Sequence, residues 1–194
     1  MPPKARITKE MIIEEAFQIV RSEGADKLTV RHIAEKLKCS TQPILYYFAT
    51  IEEIKVAVYR RADEYHNDYL QNMERDYGDP MLGIGMNYIQ FAREEKNLFR
   101  LLFQSNEFAG ANLLDLLETE DLVPIMHLME QELEATSKEV REIFQTLFIF
   151  VHGYASMFAN NEMKYEEEQV VRALTKVFYG AIYAAKEVKD EEAI

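Results

Sequence analysis

Apolar residues recur three and four positions apart along almost the whole chain and never alternate over the length of a strand, a pattern that predicts an all-α protein. Ile12, Ile13, Ala16, Phe17 and Val20 form the stripe of a first helix, opened by Thr8 as N-cap and closed by Gly24 just beyond its end. Thr29 caps a short second helix in which Val30, Ile33, Ala34 and Leu37 keep the i, i+3, i+4, i+7 spacing. Ser40 is expected to cap a third helix that ends at Phe48. Its Pro43 falls in the first turn, where a missing N–H costs little. Thr50 and Glu53 have the spacing of a capping box and open a long fourth helix to about Arg75, with Ile54, Val58, Ala62, Tyr65, Tyr69 and Met73 along one side. Tyr77-Gly78-Asp79-Pro80 breaks it and is the best hinge on offer.

Shorter helices are expected at about 80–95, 98–104 and 121–135, with a less regular stretch from Ser105 to Thr119. A second capping box, Thr136 with Glu139, opens a helix to about Asn160. Glu166, Glu167 and Glu168 suit the positive N-terminus of a last helix, which carries Val170, Val171, Leu174, Val177, Phe178, Ala181, Ile182 and Ala185 and frays in a charged tail.

The residues at 29–48 add chemistry to this scheme. Two short helices joined by a tight turn, the second led by the polar tip Ser40, Thr41 and Gln42, read as a helix-turn-helix, whose second helix places its start in the DNA major groove. A formal net charge of −12 argues against nucleic acid until its distribution is considered. Residues 1–50 hold 8 Lys and Arg against 6 Asp and Glu, while residues 51–194 hold 14 against 28. The acidic body repels phosphate, so contact with DNA is expected only from the N-terminal face. The division predicted is therefore a DNA-binding domain over 1–50 and a second helical domain over 51–194.

One cysteine, Cys39, excludes an intrachain disulfide and fits a reducing cytoplasm. Cys39 reads as a small hydrophobe in preference to a redox switch. There is no signal-peptide pattern, and the longest purely apolar run, Leu147 to Val151, is far too short to span a bilayer. No nucleophile elbow, Walker loop or dinucleotide fingerprint occurs, so no enzyme and no cofactor are expected. Neither His127 nor His152 has a second His or Cys at ligand spacing, so no metal is expected either.

The first 54 residues resemble the tetracycline-repressor family of bacterial transcription regulators. The resemblance rests on Thr8, Ala16 and Gly24 in the first helix, on Thr29, Val30, Ile33 and Ala34 in the second, and on Ser40, Leu45, Tyr46, Phe48 and Glu53 from the third helix into the fourth. It covers about a quarter of the chain. It implies a homodimer, usually a repressor, released from DNA when a small molecule enters the C-terminal domain. It places base contacts on Thr41, Gln42 and Pro43, backbone or groove-wall contacts on Tyr46 and Tyr47, and a phosphate contact on Thr29. Gln42 is chemically able to read adenine, and Thr41 to meet a thymine methyl. By spacing, one of Tyr46 and Tyr47 packs instead of reaching DNA. Two departures stand out. Lys38 occupies the turn position where the family usually has Gly, and a left-handed conformation there costs Lys about 1 kcal/mol. Ile51 stands where the family usually has a phosphate-gripping Lys, and Lys55 one turn on is a poor substitute.

Aromatic residues able to converge in the C-terminal part, Tyr65, Tyr69, Tyr88, Phe91, Phe103, Phe144 and Phe148, with His127 and His152 as polar handles, are the candidates for a pocket taking a lipophilic, aromatic or weakly cationic effector. Val171, Leu174, Phe178, Ile182 and Ala185 form a stripe that one copy is expected to struggle to bury, pointing to a four-helix bundle between two copies. The rival function is an all-α ligand-binding protein or enzyme that keeps the helix-turn-helix only as scaffold. Its support is the acidic body and the absent lysine at position 51.

Overall fold

The computed structural model describes residues 7–72, 77–105 and 122–192, with side chains as far as Lys186. Among the described residues the chain is all-α, without a strand. The order is α1 (Lys9–Glu23), a 3-10 turn (Ala25–Lys27), α2 (Val30–Lys36), α3 (Gln42–Tyr47), α4 (Ile51–Gln71), α5 (Pro80–Glu94), α6 (Lys96–Phe103), α7 (Val123–Leu133), α8 (Ser137–Asn160) and α9 (Glu167–Glu192).

Most helix ends follow their sequence signals. Thr8 accepts the Met11 N–H at 3.3 Å and Thr29 the His32 N–H at 3.1 Å, each filling an orphan donor of a first turn. Gly24 ends α1 at φ 98, which a side chain rarely adopts. Thr136 and Glu139 form both halves of a capping box. Two ends differ. Thr41 stands at the N-cap of α3 in a helical conformation without a side-chain bond, so Ser40 is not its cap. With Gln42 first in the helix, Pro43 occupies one of the two positions whose N–H a cap would normally receive. At α4, Thr50 accepts the Glu53 N–H at 3.3 Å, but Glu53 reaches back to the Ala49 N–H at 2.9 Å, so the box is offset by one residue. Residues 106–119 of the stretch expected to be irregular, and 73–75 of the expected fourth helix, lie outside the described residues.

The chain divides into two compact units, Met1–Gln71 with Phe91–Glu107, and Asn72–Gln90 with Phe108–Ile194. In the first, α1 packs against α2, α3, α4 and α6. Ile12, Ala16, Phe17, Ile19 and Val20 of α1 are buried, as are Ile33, Ala34, Ile44, Phe48, Ile54, Val58, Ala62, Leu98, Phe99 and Leu102. In the second, α8 packs along α9 and against α7. Gly85 of α5 lets Leu174 approach so closely that a Cβ there would lie 2.9 Å from its Cδ2.

The second unit corrects the stripe expected to meet another copy. Leu174, Phe178 and Ala185 are 2%, 2% and 7% exposed within a single chain, and Val171 and Ile182 are half-buried. Val170, Leu174, Phe178 and Ala185 share the inward side of α9, so this apolar periodicity is core. The apolar surface left open lies elsewhere on the same two helices: Ile149 and Met157 on α8, Tyr179 and Tyr183 on α9. Gly153 and Gly180 stand among them with nothing within 4 Å of where a Cβ would be.

Candidate functional site

The segment from Thr29 to Phe48 is braced from beneath and open above. Ile33, Ala34, Ile44 and Phe48 are buried anchors. The intervening turn is closed by the Lys38 N–H on the Glu35 carbonyl at 3.2 Å and the Cys39 N–H on the Ala34 carbonyl at 3.0 Å. Lys38 itself is left-handed, at φ 54, as its place in the turn predicts. Ser40 and Gln42 are exposed, and Thr41, Pro43 and Tyr47 half-buried. Tyr46 is 79% exposed and meets Tyr47 edge-to-face at 5.0 Å between ring centres. Of the two tyrosines it is Tyr46 that stands out from the surface.

Thr29 borders an open cleft of about 310 Å³ with Glu23, Asp26, Lys27, Arg31, His32 and Glu35. The charges here are largely spent on one another. Lys36 pairs with Glu23 at 2.7 Å, His32 meets Glu23 at 3.1 Å, and Arg31 meets Glu35 at 3.1 Å. Lys36, and after it His32, holds the Glu23 carboxyl below its ordinary range. The Arg31–Glu35 pair is visible in sequence as an i, i+4 spacing. The ties from α2 back to Glu23 on α1 have no such signal.

A second polar cluster in the first unit went unforeseen. Arg21 of α1 bonds both carboxylate oxygens of Glu95, which lies between α5 and α6 and is 8% exposed. The Tyr65 hydroxyl of α4 donates to Glu95 at 3.2 Å and accepts from Arg21 at 3.1 Å. Asn97 donates to the Arg21 carbonyl at 3.0 Å. Glu95 raises the Arg21 guanidinium above its ordinary value, while burial and then Glu95 raise the Tyr65 hydroxyl. The cluster fastens α1 to α4 and to the corner between α5 and α6. Arg21 and Glu95 are 74 residues apart in sequence and Tyr65 is 30 from Glu95, beyond the reach of any local pattern.

The candidate effector residues fall into two aromatic groups and one outlier. In the first unit, His66 of α4 lies edge-on to Phe91 at 4.8 Å and to Phe103 at 5.1 Å, while Tyr65 and Tyr69 lie 6.3 Å and 5.4 Å from Phe91. Tyr69 donates to Glu94 at 2.7 Å, and burial pushes its hydroxyl far above its ordinary value. His66, absent from the expected set, is 6% exposed, and burial lowers its imidazole to about 4. In the second unit, Phe144, Phe148 and His152 stack at successive turns of α8, with ring centres 6.2 Å and 5.5 Å apart. Tyr88 of α5 shares a 2.9 Å hydrogen bond with His152 Nδ1. Burial holds the Tyr88 hydroxyl protonated far past neutrality and lowers the His152 imidazole. His127 joins neither group: it is exposed on α7 and pairs with Glu130 at 3.1 Å.

Among the described residues no three His, Cys, Asp or Glu side chains gather as a metal site, and no helix is long and apolar enough to cross a membrane. No protein-family model matches the chain, and no curated protein matches it.

Proposed function

We propose that the chain is a DNA-binding transcription regulator of the tetracycline-repressor kind, acting as a homodimer on a palindromic operator and released from it by a small lipophilic effector. The observation that carries this reading is the exposed face of α3. Buried Ile44 and Phe48 anchor the helix, Gln42 and Tyr46 project from it into solvent, and Ser40 lies exposed just before it. A short helix propped in this way can present base-reading and phosphate-bonding groups to a major groove. Thr29 and Tyr46 bond phosphates in this scheme, and Thr41, Gln42 and Pro43 meet the bases.

The dimer forms through the exposed side of α8 and α9. Ile149, Met157, Tyr179 and Tyr183 supply apolar area, and Gly153 and Gly180 give room for close helix approach. Two α3 tips then reach half-sites about one helical turn apart or somewhat more. The effector is aromatic or weakly cationic. The ring stack Phe144–Phe148–His152 and the Tyr88–His152 bond supply flat apolar surface with one polar handle. Regulation is a coupling free energy between effector and DNA.

Selection of binding duplexes from a random pool, followed by affinity measurements across salt concentrations, tests this. Enrichment of an inverted repeat with steeply salt-dependent affinity is expected. No enrichment and no duplex binding at low salt would leave the helix-turn-helix as scaffold and refute the regulator reading.

A further inference from the structure

We infer that Lys38, in the turn between α2 and α3, is a DNA phosphate contact, and that its charge is retained there at the expense of backbone strain. The inference rests on the regulator reading above. Residues 7–50 hold six Lys and Arg against six Asp and Glu. Five of those cations are engaged within the protein. Arg21 pairs with Glu95, Lys27 with Asp26, Arg31 with Glu35 and Lys36 with Glu23. Lys9 lies over the Phe48 ring, 5.4 Å from its centre. Among the described residues of this segment, Lys38 alone has neither a carboxylate nor a ring as partner, and it is exposed.

Its backbone points the same way. At φ 54 it adopts the left-handed conformation that glycine enters without penalty and a side chain does not. Folding alone therefore favours Gly at this position. Among the described residues the Lys side chain has no ion pair or ring contact that would repay the strain, whereas a free ammonium two residues before Ser40 and three before Thr41 lies close in sequence to the groove-facing tip. A duplex docked on α3 brings backbone phosphates to both sides of that tip, and among the described residues 7–50 the strained residue is the cation not already neutralised.

Phosphate contacts are sequence-independent, so a random-sequence duplex of about 30 base pairs is a sufficient probe. Its affinity is to be measured by fluorescence anisotropy between about 50 and 200 mM NaCl, with Tm recorded for each protein. Lys38→Gln and Lys38→Gly should each weaken binding about fivefold near 0.15 M salt and lower the slope of log affinity against log salt by about 1 per protomer. Lys38→Gly should do so while Tm stays level or rises by up to about 3 °C, which separates lost charge from lost fold. Lys38→Arg should bind as the natural protein does. Natural affinity and slope in Lys38→Gln would overturn the assignment, and so would a Lys38→Arg variant as weak as Lys38→Gln. Absence of salt-dependent binding by the natural protein would overturn the regulator reading itself, and the role of Lys38 with it.

Discussion

His66 should make the protein acid-sensitive well above the pH at which its carboxylates protonate. Buried beside Phe91 and Phe103, its imidazole is lowered from 6.5 to about 4. Burial disfavours the charged form, so the folded chain keeps His66 neutral while the unfolded chain protonates it below about pH 6.5. The unfolded state then binds the extra proton, and stability falls with pH across the window from 6.5 down to 4. Linkage over these two values removes about 1.3 kcal/mol between pH 7.5 and 5.5, and about 3.4 kcal/mol once pH is below 4. The comparison to make is the natural protein against His66→Leu, by urea unfolding at several pH values from 7.5 to 5.5. That range stays above the isoelectric point of about 4.9, where self-association would interfere. His152, lowered by partial burial, contributes equally to both proteins and cancels. The natural protein should lose about 1.3 kcal/mol more than the variant, or roughly 3–5 °C more in Tm. Only the slope matters, since the substitution also changes packing. Parallel pH dependence in the two proteins would show that His66 is not held neutral by its ring neighbours.

Three further outcomes are expected. Gln42→Ala should cost about 1–3 kcal/mol of discrimination at one base pair per half-site, and an unchanged base preference in a panel of operator variants would remove Gln42 as a reader. Tyr179→Glu, placed beside Gly180 on the open side of α9, should convert the dimer to monomer in light scattering and weaken operator binding with it; a natural protein of monomer mass would sink that interface. Arg21→Ala strands the nearly buried Glu95 carboxylate. Because the Arg21 side chain is 37% exposed, the expected loss is about 2–3 kcal/mol, below the range for a fully buried pair, and a loss under about 1 kcal/mol would mean that the cluster is solvated.

The parts of the fold that were legible in the sequence are those governed by neighbours a few residues apart. Thr8, Thr29, Gly24 and the Thr136–Glu139 box act within one turn, and each performs as its spacing predicts. The left-handed Lys38 was legible differently, through the resemblance that puts the family's usual Gly at its position in the five-residue connection between α2 and α3. Failures begin where a partner lies far along the chain. An apolar stripe announces that a helix face is buried but not by what, so Leu174, Phe178 and Ala185 pass equally well for an interface or for a core. His127 and His152 look alike in sequence, yet one pairs with Glu130 at the surface and the other stacks on Phe148. The Arg21–Glu95–Tyr65 cluster joins three segments that no periodicity connects.

The charges near α3 also constrain how a duplex could be held. An exposed ion pair is worth little, so Arg31 can leave Glu35 for a phosphate at small cost. Lys36 is less available. It shares Glu23 with His32, and taking it away uncovers that carboxylate beside the incoming phosphates. Apart from the ammonium of Lys38, the unengaged donors on the described surface near α3 are therefore uncharged: the hydroxyls of Ser40 and Tyr46 and the amide of Gln42. Such groups fix register and orientation through hydrogen bonds, but they release no counterions. On the proposed reading a single α3 tip binds weakly, because only Lys38, and Arg31 once it leaves Glu35, bring charge to it. Joining two heads makes the second docking step intramolecular, which multiplies the modest affinity of each without any new contact. On the proposed reading the open apolar face of α8 and α9 thus serves tight DNA binding as well as dimer stability. On the same reading an effector need only spoil the spacing of the two α3 tips to release the duplex.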